Sequence, residues 1–418
     1  MGFWRDTGTG ISSRHAEYCL KRFDYLKSDA DLPSLRSPAL KERIKDPNLI
    51  LTAVTTATAE RLDIEMLIAK LASSDKPGQR PVTSNDVFLY PNGMAAIYAV
   101  IRAIEALDSE GGVAIYGWLY SESLKLIKRG AWSNLLYYGW GSKKELDELE
   151  GTLAGGTHIK ALLCELPGNP LLNSVDLHRL RALADKYHFL IVCDETVGTF
   201  VNTDLLPYVD LLVTSLTKMF SGGCDVMGGS VVVNPQSIDR DAIHGKLKEQ
   251  YEDTYFPGDI GTMQYNSIDF VQRVYRSNKS AVSIAQLLAN HSSVKELHYP
   301  LFGPTVHLYE RYRRLNGGYG HLMSIVFHKP QSAECFYDAL NVCKGSSFGT
   351  NFTLAIPYVQ LAHFHEQDWA ESYGVAKHII RLSVGLEKQD LLMKVMLQAL
   401  TAVEILEQSS RGGENPKM

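Results

Sequence analysis

Lys218 lies in Thr214–Gly223, TSLTKMFSGG, directly after the apolar run Leu211-Leu212-Val213. An ammonium at the end of a buried strand is costly to desolvate, so it must serve as a turn charge, a phosphate contact or a nucleophile. Ser215 and Thr217 flank it with hydroxyls that can donate to a phosphate, and Gly222 and Gly223 follow. Asp194 stands in the same way after Phe189-Leu190-Ile191-Val192-Cys193. A carboxylate there is either a helix N-cap or the partner of a cation such as a protonated ring nitrogen. Upstream, Phe88-Leu89-Tyr90-Pro91-Asn92-Gly93-Met94-Ala95 reads as strand, glycine turn and helix start, where bare amides can take an anion. Between these two pieces, Ile115-Tyr116-Gly117-Trp118-Leu119-Tyr120 ends a strand with aromatics. These serve either as core or, at Tyr116, as a stacking surface for a flat ring. No GxxxxGK[ST] pattern is present, which excludes a Walker loop. An anion turn, a stacking aromatic, an aspartate and a lysine, in that order, fit pyridoxal phosphate.

Elements with an α/β rhythm must position these groups. Strand-like runs fall at Val87–Tyr90, Gly112–Tyr116, Ile159–Cys164, Phe189–Cys193, Leu211–Thr214 and Gly229–Val233. Helical patterns lie between several of them, as at Ala95–Ala106, Ser121–Arg129 and Asp176–His188. Short apolar strands alternating with helices predict a mostly parallel, doubly wound sheet, with ligands at the carboxyl ends of its strands. A helix is expected at Ala59–Ala72, and a hinge at Asn316-Gly317-Gly318-Tyr319-Gly320. A smaller α/β domain follows, with strands Leu322–His328 and His378–Val384, helix Ala333–Val342 and a last helix over Gln389–Gln408. The domains are therefore read as an arm and first helix over residues 1–75, a large cofactor-binding domain over 76–318 and a C-terminal domain over 319–418.

The chain has 418 residues, and its 42 basic against 47 acidic side chains leave a net charge of −5. That balance, without a block of like charge, argues against nucleic acid as a partner. Six scattered cysteines form no CxxC pair or metal-ligand spacing, so free thiols and no metal are expected. With no apolar N-terminal leader and no run of about 18 apolar residues, a cytoplasmic protein without a membrane span is expected.

Longer stretches resemble the Cys/Met-metabolism group of pyridoxal-phosphate enzymes, fungal cystathionine γ-synthases in particular. They are ISSRHAEYCL (Ile11–Leu20), YPNGMAAI (Tyr90–Ile97), ELPGNPLL (Glu165–Leu172), CDETVGTFVN (Cys193–Asn202), TSLTKMFSGGCDVMGGS (Thr214–Ser230), SSFGTNFTLAIPY (Ser346–Tyr358) and IIRLSVGLE (Ile379–Glu387). The resemblance spans nearly the whole chain. It implies an aspartate-aminotransferase-like α/β fold, with a mostly parallel seven-stranded sheet and a smaller C-terminal α/β domain. It also implies that Lys218 anchors the cofactor covalently, Asp194 holds the pyridine nitrogen and Tyr116 stacks on the ring. Gly93, Met94, Ser215 and Thr217 would then cradle the phosphate, with Asn169 and Thr196 beside the ring. Arg381 would clamp the substrate α-carboxylate, with Ser347 adding a contact. Family members assemble as homodimers or homotetramers, and the polar arm at residues 1–50 would wrap a neighbour.

Two departures bear on these expectations. Bacterial members carry a Tyr-x-Arg pair that reaches the neighbouring subunit's phosphate site. The corresponding segment, Ala53–Arg61, lacks it, leaving Arg61 as the nearest substitute. Fungal members also carry a long extension ahead of the motif that begins here at Ile11, which suggests a specialised paralogue. The implied reaction is γ-replacement on O-acetyl- or O-succinyl-L-homoserine with cysteine as nucleophile. A carbon nucleophile such as a keto-acid or aldehyde enolate, a γ-elimination, and a non-catalytic cofactor-binding protein are the alternatives.

Overall fold

The computed structural model describes residues 2–22, 57–107 and 110–412. Strands β1 (Val87–Tyr90), β2 (Gly112–Tyr116), β3 (Leu135–Tyr138), β4 (Ile159–Glu165), β5 (Leu190–Asp194), β6 (Leu211–Thr214) and β7 (Gly229–Val233) build one sheet. Its order is β1-β7-β6-β5-β4-β2-β3. Pairing is parallel from β6 to β3, while β7 runs against both β6 and β1. The aliphatic runs form these strands because both faces are covered. Ile191, Cys193 and Leu212 face helices Thr58–Ala72, Lys143–Ala154 and Leu177–Tyr187. Leu190, Val192, Leu211 and Val213 face helices Gly93–Leu107 and Arg240–Gln250.

Local chemistry fixes the helix ends. The Ser142 hydroxyl accepts from Glu145 N at 3.2 Å, and Glu145 returns a bond from Ser142 N, closing a capping box. Asp176 caps Leu177–Tyr187 through Arg179 N at 3.1 Å, and His188 ends that helix in the left-handed region.

A second sheet, order β10-β11-β12-β9-β8, is made of β8 (Val294–His298), β9 (Leu322–Phe327), β10 (Cys343–Lys344), β11 (Leu354–Pro357) and β12 (Ile380–Ser383). Helices Phe270–Ala289, Pro330–Ala339 and Gln389–Gly412 pack on it. Strands β3, β8, β10 and β11 are additions to the sequence expectation. Since β8 precedes residue 318, the second sheet draws on chain from before the expected boundary. The predicted hinge is tightly packed, with Gly318 N donating to Asn202 Oδ1 at 2.9 Å.

Where it is described, the N-terminal segment has helices that pack on its own chain. Helix Gly2–Thr7 lies on helices Gly93–Leu107 and Ser121–Ile127 of its own chain, and helix Ser13–Arg22 lies on Pro257–Ser267. His15 stacks on Phe256 with ring centroids 4.6 Å apart. The remainder of the arm, including Ala53–Thr56 of the departing segment, lies outside the described residues, as does the end of the tail beyond Gly412. Among the described residues, no helix is long and apolar enough to cross a membrane. None of them forms a cluster of metal-ligating side chains either.

Candidate active site

The parallel strands deliver their carboxyl ends to one place. Asp194 closes β5, Lys218 follows β6, Asn169 follows β4 and Gly93 follows β1. Arg381 on β12 and Ser347 in the loop before β11 approach from the second sheet. All six line one cavity of about 920 Å³, at the large end for a small-molecule site.

Lys218 Nζ donates to Ser347 Oγ at 3.0 Å and lies 5.1 Å from the centre of the Phe348 ring. Burial, followed by the repulsion of Arg381, brings its pKa down to about 8. Asp194 Oδ1 accepts from Thr196 N at 2.8 Å. Burial pushes its carboxyl up, against the pull of that bond and of Lys218. Glu165 shares the pocket, accepting from Tyr120 N at 2.5 Å and from Asn169 N at 3.3 Å. It too is pushed up, by burial and then by Asp194, because two buried carboxyls resist ionising together. A cation beside Asp194 would relieve that conflict.

Arg381 is only 3% exposed. Its Nη1 donates to Asn169 Oδ1 at 2.9 Å, and its Nη2 to the carbonyls of Ser346 at 2.6 Å and Ser347 at 3.1 Å. Its guanidinium lies 5.2 Å from the Phe348 ring centre and 5.0 Å from that of Tyr358. Among the described residues no carboxylate pairs with it. A buried cation held by neutral groups is a receptor for an anion.

The opposite end suits a phosphate. Gly93 opens a 15-residue helix, and a Cβ there would stand 2.8 Å from Ser215 Cβ, so only glycine lets the helix N-terminus come this close. Met94, Ser215 and Thr217 line the same end. Ser215 N donates to Thr196 Oγ1 at 2.8 Å, which fixes the turn. The Thr217 hydroxyl is tied to Gly228, donating to its carbonyl at 3.2 Å and accepting from its N–H at 3.1 Å.

One expectation is corrected. Tyr116 does not reach the cavity. Side chains alternate along β2, so Tyr116 shares with Ala114 the face that packs on Leu146 and Leu149, and its hydroxyl donates to Ser142 O at 2.8 Å. Within the Ile115–Tyr120 stretch, the aromatic that lines the cavity is Tyr120, four residues on. Arg61, expected to serve a neighbouring subunit's phosphate site, stands apart from the cavity of its own chain. It donates to Tyr251 Oη at 3.0 Å and to Asp253 at 2.6 Å, beside a separate surface depression. Glu165 and Phe348 were visible only as parts of matched text, and nothing local marked them as cavity residues.

Residues 82–401 match the sequence profile described as Cys/Met metabolism PLP-dependent enzyme. The chain belongs to that family. It is accordingly an enzyme that depends on pyridoxal phosphate. A cystathionine gamma-synthase-like protein of Aspergillus thermomutatus is 46% identical over 97% of this chain and 72% of its own length. The cystathionine gamma-synthase of Neurospora crassa is 45% identical over 81% of this chain, which spans 55% of that relative. Among solved structures, the cystathionine gamma synthase of Xanthomonas oryzae pv. oryzae in complex with cystathionine superposes with a TM-score of 0.70. It is 23% identical, over 84% of this chain and 88% of that one, and this likeness shows the shared fold.

The site residues fit the family's cofactor. Gly93, Met94 and Ser215 would hold the phosphate at a helix N-terminus, with Asp194 available to a ring nitrogen, Tyr120 to a ring face and Lys218 to the carbonyl carbon. Asn169 and Thr196 stand beside them.

Proposed function

We propose that the enzyme catalyses γ-replacement on an O-acyl-L-homoserine with L-cysteine as nucleophile, giving L-cystathionine. What carries this reading is the convergence of Lys218, Asp194 and Arg381 on one cavity, with Lys218 Nζ held at 3.0 Å from Ser347 Oγ. The names of the fungal relatives support the same reaction class.

When bound, pyridoxal phosphate supplies an electron sink for charge developing at the substrate Cα. The chain's own groups do the rest. Arg381 binds the α-carboxylate, and the neutral Asn169 and serine carbonyls around it fix its orientation. Lys218, with its pKa near 8, is partly neutral at working pH and takes the Cα proton on Nζ, then redelivers it. Ser347 holds that amine in place. Asp194 would favour a proton on the ring nitrogen it faces, and that cation would in turn favour its carboxylate. Overall the Cγ–O bond breaks, the acyl group leaves as a carboxylate, the S–Cγ bond forms and the thiol proton goes to solvent. Assembly as a homodimer or homotetramer belongs to the same reading.

The test is mass spectrometry of products from O-acetyl- and O-succinyl-L-homoserine, with and without cysteine. Cystathionine is expected. Consumption of a keto acid or aldehyde while cysteine is ignored would overturn cysteine as the nucleophile. Purified protein should carry a yellow band that borohydride bleaches and that Lys218→Ala lacks.

A further inference from the structure

Two cavity residues on different loops are held by one side chain. Tyr120, available to the ring face, follows β2, and Asn169, whose Oδ1 accepts from Arg381 Nη1 at 2.9 Å, follows β4. Glu165 Oε1 accepts from Tyr120 N at 2.5 Å, and Glu165 Oε2 accepts from Asn169 N at 3.3 Å. Among the described residues neither N–H has another acceptor.

The strands explain why one carboxyl reaches both. Glu165 closes β4 in register with Asp194, which closes β5, so both side chains leave the sheet on the same face, toward the cavity. Tyr120 is the N-cap residue of helix Ser121–Ile127, and its side chain makes no capping bond. In a capping box, a glutamate three residues into the helix takes the N–H of the N-cap residue. That position is Ser123 here, and Glu165 takes the N–H from the neighbouring strand instead. Asn169 is only 4% exposed, so without Glu165 its N–H would be buried and unpaired. Burial and then Asp194 favour the neutral form of Glu165, so glutamine matches it in charge as well as size.

We propose that Glu165 is a positioning residue for the reaction: from one carboxyl it sets both Tyr120 and Asn169, and through Asn169 it fixes Arg381 for the substrate carboxylate. The inference rests on the reading of this cavity as a site for the cofactor and an amino acid. Glu165 acts through these neighbours and takes no proton from the substrate.

The test is equilibrium binding to the holoenzyme, read from cofactor absorbance, and it requires no turnover. L-Norleucine is compared with n-pentylamine, which lacks the carboxylate. Glu165→Gln keeps one acceptor, which the closer Tyr120 N–H retains, and turns an NH2 group toward the Asn169 N–H. The preference for norleucine should fall by roughly three- to tenfold, the contribution of about one hydrogen bond. The visible circular dichroism of the cofactor, which reports on the ring, should stay close to wild type. Glu165→Ala removes both acceptors and should alter the two readouts together. In an Asn169→Ala background, Glu165→Gln should lower the preference no further, because its route to Arg381 is already cut. A merely structural Glu165 would lower the thermal midpoint of Glu165→Gln and leave the preference unchanged, and that result overturns the proposal. An equal loss of preference in the two backgrounds overturns it as well. If Glu165→Ala does not fold, the comparison of Glu165→Gln in the two backgrounds decides. If no O-acylhomoserine is consumed at all, γ-replacement fails while these binding ratios still decide the role of Glu165.

Discussion

Arg381→Ala should weaken capture of the substrate carboxylate far more than it alters the rest of the site. The guanidinium is 3% exposed and held by three neutral oxygens, from Asn169, Ser346 and Ser347. Its positive charge therefore waits for a ligand, in a place where water screens little. Truncating one member of a desolvated, hydrogen-bonded charge pair costs roughly 2–5 kcal/mol. The lower part of that range applies here, because a free amino acid that fails to bind stays solvated and its charge is not stranded inside the protein. About 2–3 kcal/mol corresponds to a loss of about 30- to 150-fold in affinity. Titration of the holoenzyme with L-norleucine, followed by cofactor absorbance, measures that loss directly. n-Pentylamine, which has the same chain without the carboxylate, supplies the control. The variant should bind the amine as the wild type does. Arg381→Lys should fall between, since an ammonium keeps the charge but cannot reach the three oxygens and the ligand together. Equal weakening of amine and amino acid, or no weakening of either, would refute the assignment.

Lys218→Met, in cofactor-free protein, should be more stable than wild type at pH 7. The wild-type amine is depressed from 10.5 to about 8, so between those values the unfolded chain binds more protons and stability rises with pH. The full penalty, on the order of 3 kcal/mol, is present below pH 8 and vanishes by about pH 10.5. Thermal midpoints of the two proteins at pH 7 and pH 10 should therefore converge, and a gap that stays constant would contradict the buried-amine argument. Tyr116→Phe should leave the cofactor spectrum unchanged while lowering stability by about 1 kcal/mol through loss of the bond to Ser142 O. Tyr120→Ala should instead loosen the cofactor by roughly two- to tenfold, measured by its release on dialysis. The reverse outcome would restore Tyr116 as the ring neighbour.

The central strands were legible because burial on both faces demands aliphatic runs such as Leu190–Cys193 and Leu211–Val213. Strand β3 has only half-buried residues, and β8 reads Val-Lys-Glu-Leu-His, so neither carries that signal. In the same way, Lys218 and Asp194 were legible as polar groups at strand ends. Tyr116 misled because a strand's final residue can face either side, and a period of two puts it opposite the cavity. The Lys218–Ser347 and Arg381–Asn169 contacts join residues more than a hundred positions apart. The docking of helix Gly2–Thr7 likewise depends on Gly8 meeting Asn92. No local pattern encodes such meetings.

The bond from Arg381 Nη1 to Asn169 Oδ1 ties the second sheet to the first across the cavity floor. Catalytic competence is therefore a property of the seam between the sheets. If heat or denaturant loosens that seam while both sheets keep their strands, activity will disappear ahead of the circular dichroism signal. Substrate, by bridging Lys218 and Arg381, would act as a clasp and draw the two losses together. Turnover would thus serve as the earliest gauge of how firmly the two halves of this enzyme are joined.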